Sequence, residues 1–161
     1  MSGQTIVNEL TDILGKHLVK TSEEVRTNAA RDTWPLRLVE RKFGVPLDKP
    51  LCVICPKTTE DVAKALAFLN EKKINAVPYG GGSGVTGGAE PTRRSVVIQM
   101  ENMNKIIRLD KENLTVTAQP GIIMGQLEKQ LNEHGLIAGH YPQSIELAQL
   151  GGLVSTRSSG Q

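Results

Sequence analysis

The amino-acid sequence predicts an α+β fold: N-terminal helices, then a small parallel βαβ sheet with an added antiparallel hairpin. Three observations carry this reading. Residues 1 to 49 repeat apolar side chains at helical spacing. Two short apolar runs, Leu51 to Cys55 and Asn75 to Tyr79, flank a helical stretch with a capping signal. Two alternating segments then face each other across Asp110-Lys111-Glu112-Asn113.

Taken in order, Ile6, Leu10, Ile13, Leu14 and Leu18 recur on one helical face, with charges on the other. The segment Arg31-Asp32-Thr33-Trp34-Pro35-Leu36 breaks that pattern. Pro35 can open a second short helix, because the N–H it lacks has no intrahelical partner in a first turn. Lys49-Pro50 marks a boundary, and Leu51 to Cys55 reads as a strand. Thr58 with Asp61 three residues on starts a helix, whose apolar stripe is Val62, Ala65, Leu66 and Leu69. With Asn75 to Tyr79 as the next strand, the unit is a right-handed βαβ with parallel strands. Ser95 to Gln99 gives a third strand. Ile107 and Leu109, then Leu114, Val116 and Ala118, alternate with polar neighbours and predict the hairpin. After Pro120-Gly121, a helix carries Ile123, Leu127 and Leu131 on one face and ends at His134-Gly135. Leu136 to Gln161 is rich in Gly, Ser and Pro, and little regular structure is expected there. The chain shows no internal repeat.

Composition narrows the function classes. A chain of 161 residues fits one domain with a real core. A net charge of +2, 3% aromatic residues and no basic run speak against nucleic-acid binding. No apolar segment approaches the ~18 to 20 residues of a membrane span, and the polar N-terminus does not resemble a signal peptide. A soluble, cytoplasmic protein is expected.

The most informative stretch is Pro78-Tyr79-Gly80-Gly81-Gly82-Ser83-Gly84-Val85-Thr86-Gly87-Gly88. So many glycines gain nothing for a core and cost backbone entropy on ordering. They offer instead a row of backbone N–H groups able to curl around an anion such as a phosphate. It is not a P-loop, because no Gly-Lys-Ser/Thr follows. Gly82-Ser83-Gly84-Val85-Thr86-Gly87 fits the dinucleotide fingerprint literally, and Glu101 stands roughly where a ribose-binding acid would. That fold needs a crossover helix, however, and Gly87, Gly88 and Pro91 occupy its place. A solvated glycine linker is the plainer alternative. Against it, the loop follows a strand of a parallel sheet at its carboxyl end, where ligands collect.

A second cluster lies in the tail: Gly139-His140-Tyr141-Pro142-Gln143-Ser144, then Gly151-Gly152-Leu153-Val154-Ser155-Thr156-Arg157-Ser158-Ser159-Gly160. Small residues and hydroxyls suit close approach to a flat or anionic ligand, and Arg157 could neutralise a phosphate with paired N–H donors.

This order of elements resembles the FAD-binding domain of the PCMH-type (vanillyl-alcohol oxidase) flavoproteins. The landmarks are Pro-Lys-Thr-Thr-Glu-Asp-Val at 56 to 62, the Pro78 to Gly84 loop, Asn113 to Gly121, and Gly151-Gly152. Gly139-His140 followed by Pro142-x-Ser144, and Val154-Ser155-Thr156-Arg157-x-Ser159-Gly160, resemble the branch of alkyldihydroxyacetonephosphate synthase and FAD-linked oxidases. The resemblance implies residues 50–161 as the first part of an FAD-binding domain, with 1–49 as an N-terminal helical segment. It implies FAD contacts from Pro78, Tyr79, Gly80, Gly81, Gly82, Ser83 and Gly84 at the pyrophosphate. Pro142, Gln143, Ser144, Ile145, Glu146, Leu147 and Ala148 would line the flavin side. Gly151, Gly152, Thr156, Arg157, Ser158 and Ser159 complete the set.

Gln143 replaces a common Asp of that family, Ser83 a common Thr and Gly84 a common Ser, all compatible with donation from the backbone. Relatives with covalently attached flavin carry a histidine near Ser83; this loop has none, so noncovalent FAD is expected. The resemblance further implies an oxidoreductase acting on a small molecule such as a 2-hydroxy acid. The alternatives are ether-lipid synthase chemistry or a noncatalytic assembly module. Catalytic residues of such proteins come from later parts, so none is assigned. The chain reads as a fragment, a split-gene product or a truncated relative, with a homodimer or a partner chain covering its open face.

Other residues have plainer readings. Cys52-Val53-Ile54-Cys55 is a lone C-x-x-C on a strand, where positions i and i+3 face opposite sides, so buried structural thiols are expected rather than a metal or redox pair. His17 and His134 read as surface or capping residues, and Arg93 and Arg94 as a solvated turn. His140, beside the tail cluster, is a candidate for a direct role or for simple packing.

Overall fold

The structure, a computed structural model, describes residues 2–160. Helix α1 (Gly3–Leu14) starts where the Ser2 hydroxyl accepts the Thr5 N–H at 3.2 Å, and it buries Ile6, Val7, Leu10 and Leu14. The expected stripe does not continue to Leu18. Gly15, in the left-handed region at φ 88°, ends the helix, Ile13 faces solvent, and Leu18 leads into strand β1 (Val19–Lys20). Helices α2 (Glu23–Asn28) and α3 (Pro35–Lys42) follow, the latter with Pro35 in its first turn.

The βαβ unit is β2 (Val53–Ile54), α4 (Thr59–Glu71) and β3 (Asn75–Tyr79). A reciprocal capping box opens α4. The Thr58 hydroxyl accepts the Asp61 N–H at 3.1 Å, while the Asp61 carboxylate accepts the N–H groups of Thr58 and Lys57, both at 3.0 Å. Those donations, led by the Lys57 N–H, hold the Asp61 carboxyl below its ordinary range. Ala65, Phe68 and Leu69 form the buried face, and Leu66 lies outside it.

Strand β4 (Ser95–Gln99) is inserted between the two strands of that unit, giving the order β1-β2-β4-β3. It runs parallel to both neighbours, with Val97 opposite Val53 on one side and Val77 on the other. The chemistry of the strands explains the order. Ser95, Val96, Val97 and Ile98 are all buried, as a central strand covered on both faces requires. Pro78 lacks an N–H, and β3 takes the edge.

One sheet face packs Cys52, Ile54, Val96 and Ile98 against α1 and α4. The other sets Val53, Cys55 and Val97 against Ala29, Val25, Val77 and Tyr79. The two cysteines are therefore buried on opposite faces, and both are free thiols. Burial pushes the Cys52 thiol up to about 12 and the Cys55 thiol up to about 11. Residues before Lys49 share this core with the sheet.

Hairpin β5 (Ile106–Asp110) and β6 (Thr115–Ala118) forms a second layer with α5 (Met124–Asn132). A register irregularity between Ile106 and Arg108 turns Ile107 outward. Ile106 and Leu109, with Val116 and Ala118, face a core of Ile122, Leu127 and Leu131. Leu114 belongs to the turn and is exposed. The tail contains one unexpected element, α6 (Leu150–Ser155). Its two glycines disfavour a helix in isolation. The buried Leu153 and the close approach of Gly151 to Pro120, where a Cβ would collide, hold it in place. No helix among the described residues is long and apolar enough to cross a membrane.

Candidate functional site

The chain leaves β3 at Tyr79 and enters β4 at Ser95, so the glycine-rich loop itself makes the crossover between two parallel strands. The stretch Arg31 to Trp34 clamps this loop. The Tyr79 hydroxyl donates to the Arg31 carbonyl at 2.9 Å, and Thr33 donates to the Gly84 carbonyl from its N–H at 2.9 Å and its hydroxyl at 2.8 Å. The buried Asp32 carboxylate accepts the N–H groups of Trp34 at 2.9 Å and Gly87 at 3.0 Å. Burial, reinforced by the Asp32 charge, raises the Tyr79 phenol above its ordinary range. Beyond the loop, Glu90 accepts both Nε and Nη2 of Arg37 at 2.6 and 2.7 Å, and that guanidinium lies 5.6 Å from the centre of the Trp34 ring. Gly82 is in the left-handed region at φ 68° and folds against the Tyr79 hydroxyl, a place no larger residue could take unchanged.

The tail cluster forms the facing wall. Within it, Leu147 and Ala148 donate to the Ser144 carbonyl at 2.8 and 2.7 Å. Met124 and Gly125, at the start of α5, donate to the carbonyls of Ala148 and Ile145, both at 2.9 Å, and Gly151 donates to the Pro120 carbonyl at 2.8 Å. Upstream, the buried Glu128 carboxylate accepts the Tyr141 hydroxyl at 2.7 Å and the Ala138 N–H at 2.9 Å, which fixes the approach to Pro142. The two walls meet where Gly81 lies against the Leu147 carbonyl, so closely that a Cβ would overlap it.

Between the walls is a groove of about 610 Å³. Pro78, Tyr79, Gly80, Gly81, Gly82, Ser83 and Gly84 line one side, and Ser144, Ala148, Gly151, Gly152, Thr156 and Ser158 the other. A second cavity of about 470 Å³ adjoins it, with Lys20, Asn28, Cys55, Gln99, Glu101 and Leu147 in its lining. Tyr79, Gly80, Gly81 and Gln149 border both. The two sequence clusters, distant along the chain, thus come together.

Some expected residues lie elsewhere. Pro142 is buried and lines neither space, and Gln143 and Glu146 are exposed. Ile145 packs toward the α5 core. Arg157 is exposed, with left-handed backbone at φ 48° just past α6, and neither it nor Ser159 lines the groove. His140 lines neither space. Among the described residues no group of His, Cys, Asp or Glu could hold a metal ion.

Two residues escaped the sequence reading. Asp32 was visible only as a break in a helical pattern. Gln149 sits between recognised motifs and is buried, with no hydrogen-bond partner for its Oε1 among the described residues. No local signal in the sequence marks either.

Residues 50–161 match the family model described as FAD binding domain. The chain is 42% identical over 167 residues to the uncharacterized FAD-linked oxidoreductase YgcU of Escherichia coli K12, covering 100% of this chain and 33% of that protein. It is 37% identical over 115 residues to the mitochondrial D-lactate dehydrogenase [cytochrome] of Kluyveromyces lactis, covering 70% of this chain and 20% of that one. A solved alkyldihydroxyacetonephosphate synthase superposes with a TM-score of 0.91 at 30% identity, over 99% of this chain and 30% of that one. The chain spans about a third of the length of the first of these relatives. With a groove lined by a glycine-rich loop and small tail residues, and with this family match and these relatives, the chain belongs to the FAD binding domain family of FAD-linked oxidoreductases.

Proposed function

We propose that this chain holds FAD noncovalently as the cofactor-seating part of an oxidoreductase acting on a small 2-hydroxy acid. The observation that carries the reading is the meeting of both sequence clusters on one groove. Its residues fit the group. The loop packs so closely that a Cβ would overlap the Leu147 carbonyl at Gly81 and the Tyr79 hydroxyl at Gly82, which leaves bare backbone along the groove, and the buried Gln149 Oε1 has no partner among the described residues. When bound, FAD supplies the electron-accepting chemistry, and the protein supplies position and electrostatics.

Backbone N–H groups of Gly80 to Gly84 face the pyrophosphate in this reading, while Ser144, Thr156 and Ser158 offer hydroxyls from the opposite wall. The clamp from Arg31 to Trp34 keeps the loop open for it. Noncovalent attachment is favoured because the lining of both spaces contains no histidine, and its one cysteine, Cys55, is held as a thiol by burial. The 2-hydroxy acid is suggested by the D-lactate dehydrogenase relative. The similarity to the solved alkyldihydroxyacetonephosphate synthase favours a second reading, ether-lipid synthase chemistry in the whole protein.

The apolar side chains Leu36, Leu38, Val39 and Phe43 exposed on and just after α3 support association with a second copy or a partner chain. A cytoplasmic location belongs to the same reading.

The test is a visible spectrum of the purified chain with and without added FAD. A yellow protein that releases its flavin on denaturation is the expected result. A colourless protein in excess FAD overturns the claim for this chain. In the full-length protein, bleaching of the flavin by D-lactate or glycolate without oxygen supports the 2-hydroxy-acid reading. Inertness to both, with turnover of an acylated dihydroxyacetone phosphate, supports the second.

A further inference from the structure

We infer that Asp32 is a specificity-determining residue of the groove. Its carboxylate is a built-in anion that closes the far end of the glycine loop to phosphate and disfavours ligands more negative than a pyrophosphate diester. The inference deepens the proposed reading and rests on it. Asp32 is only 4% exposed, yet it belongs to the lining of the groove. Among the described residues it is the one charged side chain in that lining. No Lys or Arg among them forms an ion pair with it. A groove that attracted phosphate by side-chain charge would carry the opposite sign, on arginine or lysine.

The loop itself holds this charge. Oδ1 accepts the Trp34 N–H at 2.9 Å, Oδ2 accepts the Gly87 N–H at 3.0 Å, and a Cβ at Gly84 would stand 3.2 Å from Oδ2. The Gly87 N–H, a donor of the kind a glycine-rich run offers to anions, is thus already taken by an anion of the protein's own. Donors for a ligand remain earlier in the loop. A buried charge is little screened, so Asp32 acts on a neighbouring ligand through its field, without touching it. The repulsion grows with the charge brought in. A pyrophosphate esterified at both ends, as in FAD, brings less than one ending in a free phosphate. Asp32 also lies outside residues 50–161, so the N-terminal segment contributes the selection.

The experiment measures ADP-ribose and ADP as competitors of FAD, with a chelator present, on wild type and on Asp32→Asn. The two competitors share adenosine and pyrophosphate, and ADP ends in a free, more negative phosphate. Asp32→Asn keeps the shape and gives up the charge and one acceptor. Its affinity for ADP relative to ADP-ribose is expected to rise roughly 3- to 30-fold over that of wild type. An equal change for both competitors overturns the inference, since Asp32 would then only hold the loop. In wild type, added potassium chloride is expected to narrow the preference for ADP-ribose over ADP, because screening weakens a repulsion. A constant or widening preference overturns the inference, and this arm decides the matter should Asp32→Asn not fold. Failure of both competitors to displace FAD overturns it as well, because the charge at the phosphate would then not govern binding. In each of these cases FAD bound to wild type leaves the FAD reading intact. Failure of the wild-type chain to bind FAD overturns both readings.

Discussion

Substituting Gly81 by Ala tests the construction of the site most directly. The Gly81 backbone is outside the left-handed region, so conformational strain is not the issue; the conflict is a new methyl against the Leu147 carbonyl. A backbone carbonyl cannot swing aside as a flexible side-chain end can. One wall must move, and with it the bonds from Leu147 and Ala148 to Ser144 or from α5 to Ala148. Overpacking of this kind costs about 1–3 kcal/mol. In a chain of 161 residues that lowers the melting temperature by about 2–12 °C. If the displacement is relieved only by opening the groove, the same energy appears as roughly 5- to 150-fold weaker FAD binding. Gly88→Ala is the control. It lies in the same loop, has ordinary φ, and a Cβ there would meet nothing within 4 Å. It should be neutral, or stabilise by about 0.4–1 kcal/mol through the unfolded state. Melting curves and FAD titrations of both variants provide the assay. Gly81→Ala behaving like Gly88→Ala in both measurements would refute the close contact of the two walls.

Asp32→Ala removes the acceptor shared by the Trp34 and Gly87 N–H groups. It should cost about 1–3 kcal/mol and speed amide hydrogen exchange at Gly87 more than at Val97. Glu128→Ala strips the partner from the Tyr141 hydroxyl and the Ala138 N–H. The phenol of Tyr141, raised by its hydrogen bond to Glu128, should then titrate lower, nearer its ordinary value, in an ultraviolet pH titration. For Cys52 and Cys55 the folded-state values, about 12 and about 11, lie above the unfolded value of 9.0, so their contribution is complete below pH 9.0. It declines as pH rises from 9.0 toward those values, because the unfolded chain releases its protons first. Denaturant melts at about pH 8 and about pH 10 should show that loss, and a thiol reagent should label the native protein far more slowly than the unfolded one.

Much of the site was legible because its signals are local. A glycine run after a strand, Thr58 three residues before Asp61, and two short apolar runs each determine their own conformation. Cys52 and Cys55 could be assigned to opposite faces from strand alternation alone, and the structure agrees. What was not legible depends on tertiary partners. Strand β1 has only two residues and exists because β2 offers an edge. Helix α2 buries no residue fully and is too short to show a period. One irregularity in β5 reversed the facing of Ile107. Helix α6 forms against its propensity because Gly151 must approach Pro120. Asp32 and Gln149 acquire meaning only through the loop folded beside them.

The loop that replaces a crossover helix has a consequence for how the protein assembles. In most parallel pairs the connector is a helix that can form early and by itself. Here residues 80–94 form no helix, so β3 cannot register against β4 until a glycine-rich segment has given up its freedom. Sheet closure and site formation are thereby coupled. A cofactor that orders the loop would act as a template for strand pairing as much as a tenant of a finished pocket, and refolding should quicken in its presence. The same coupling makes loop length unusually constrained: a deletion that shortened the cradle would also shift the register of the central strand.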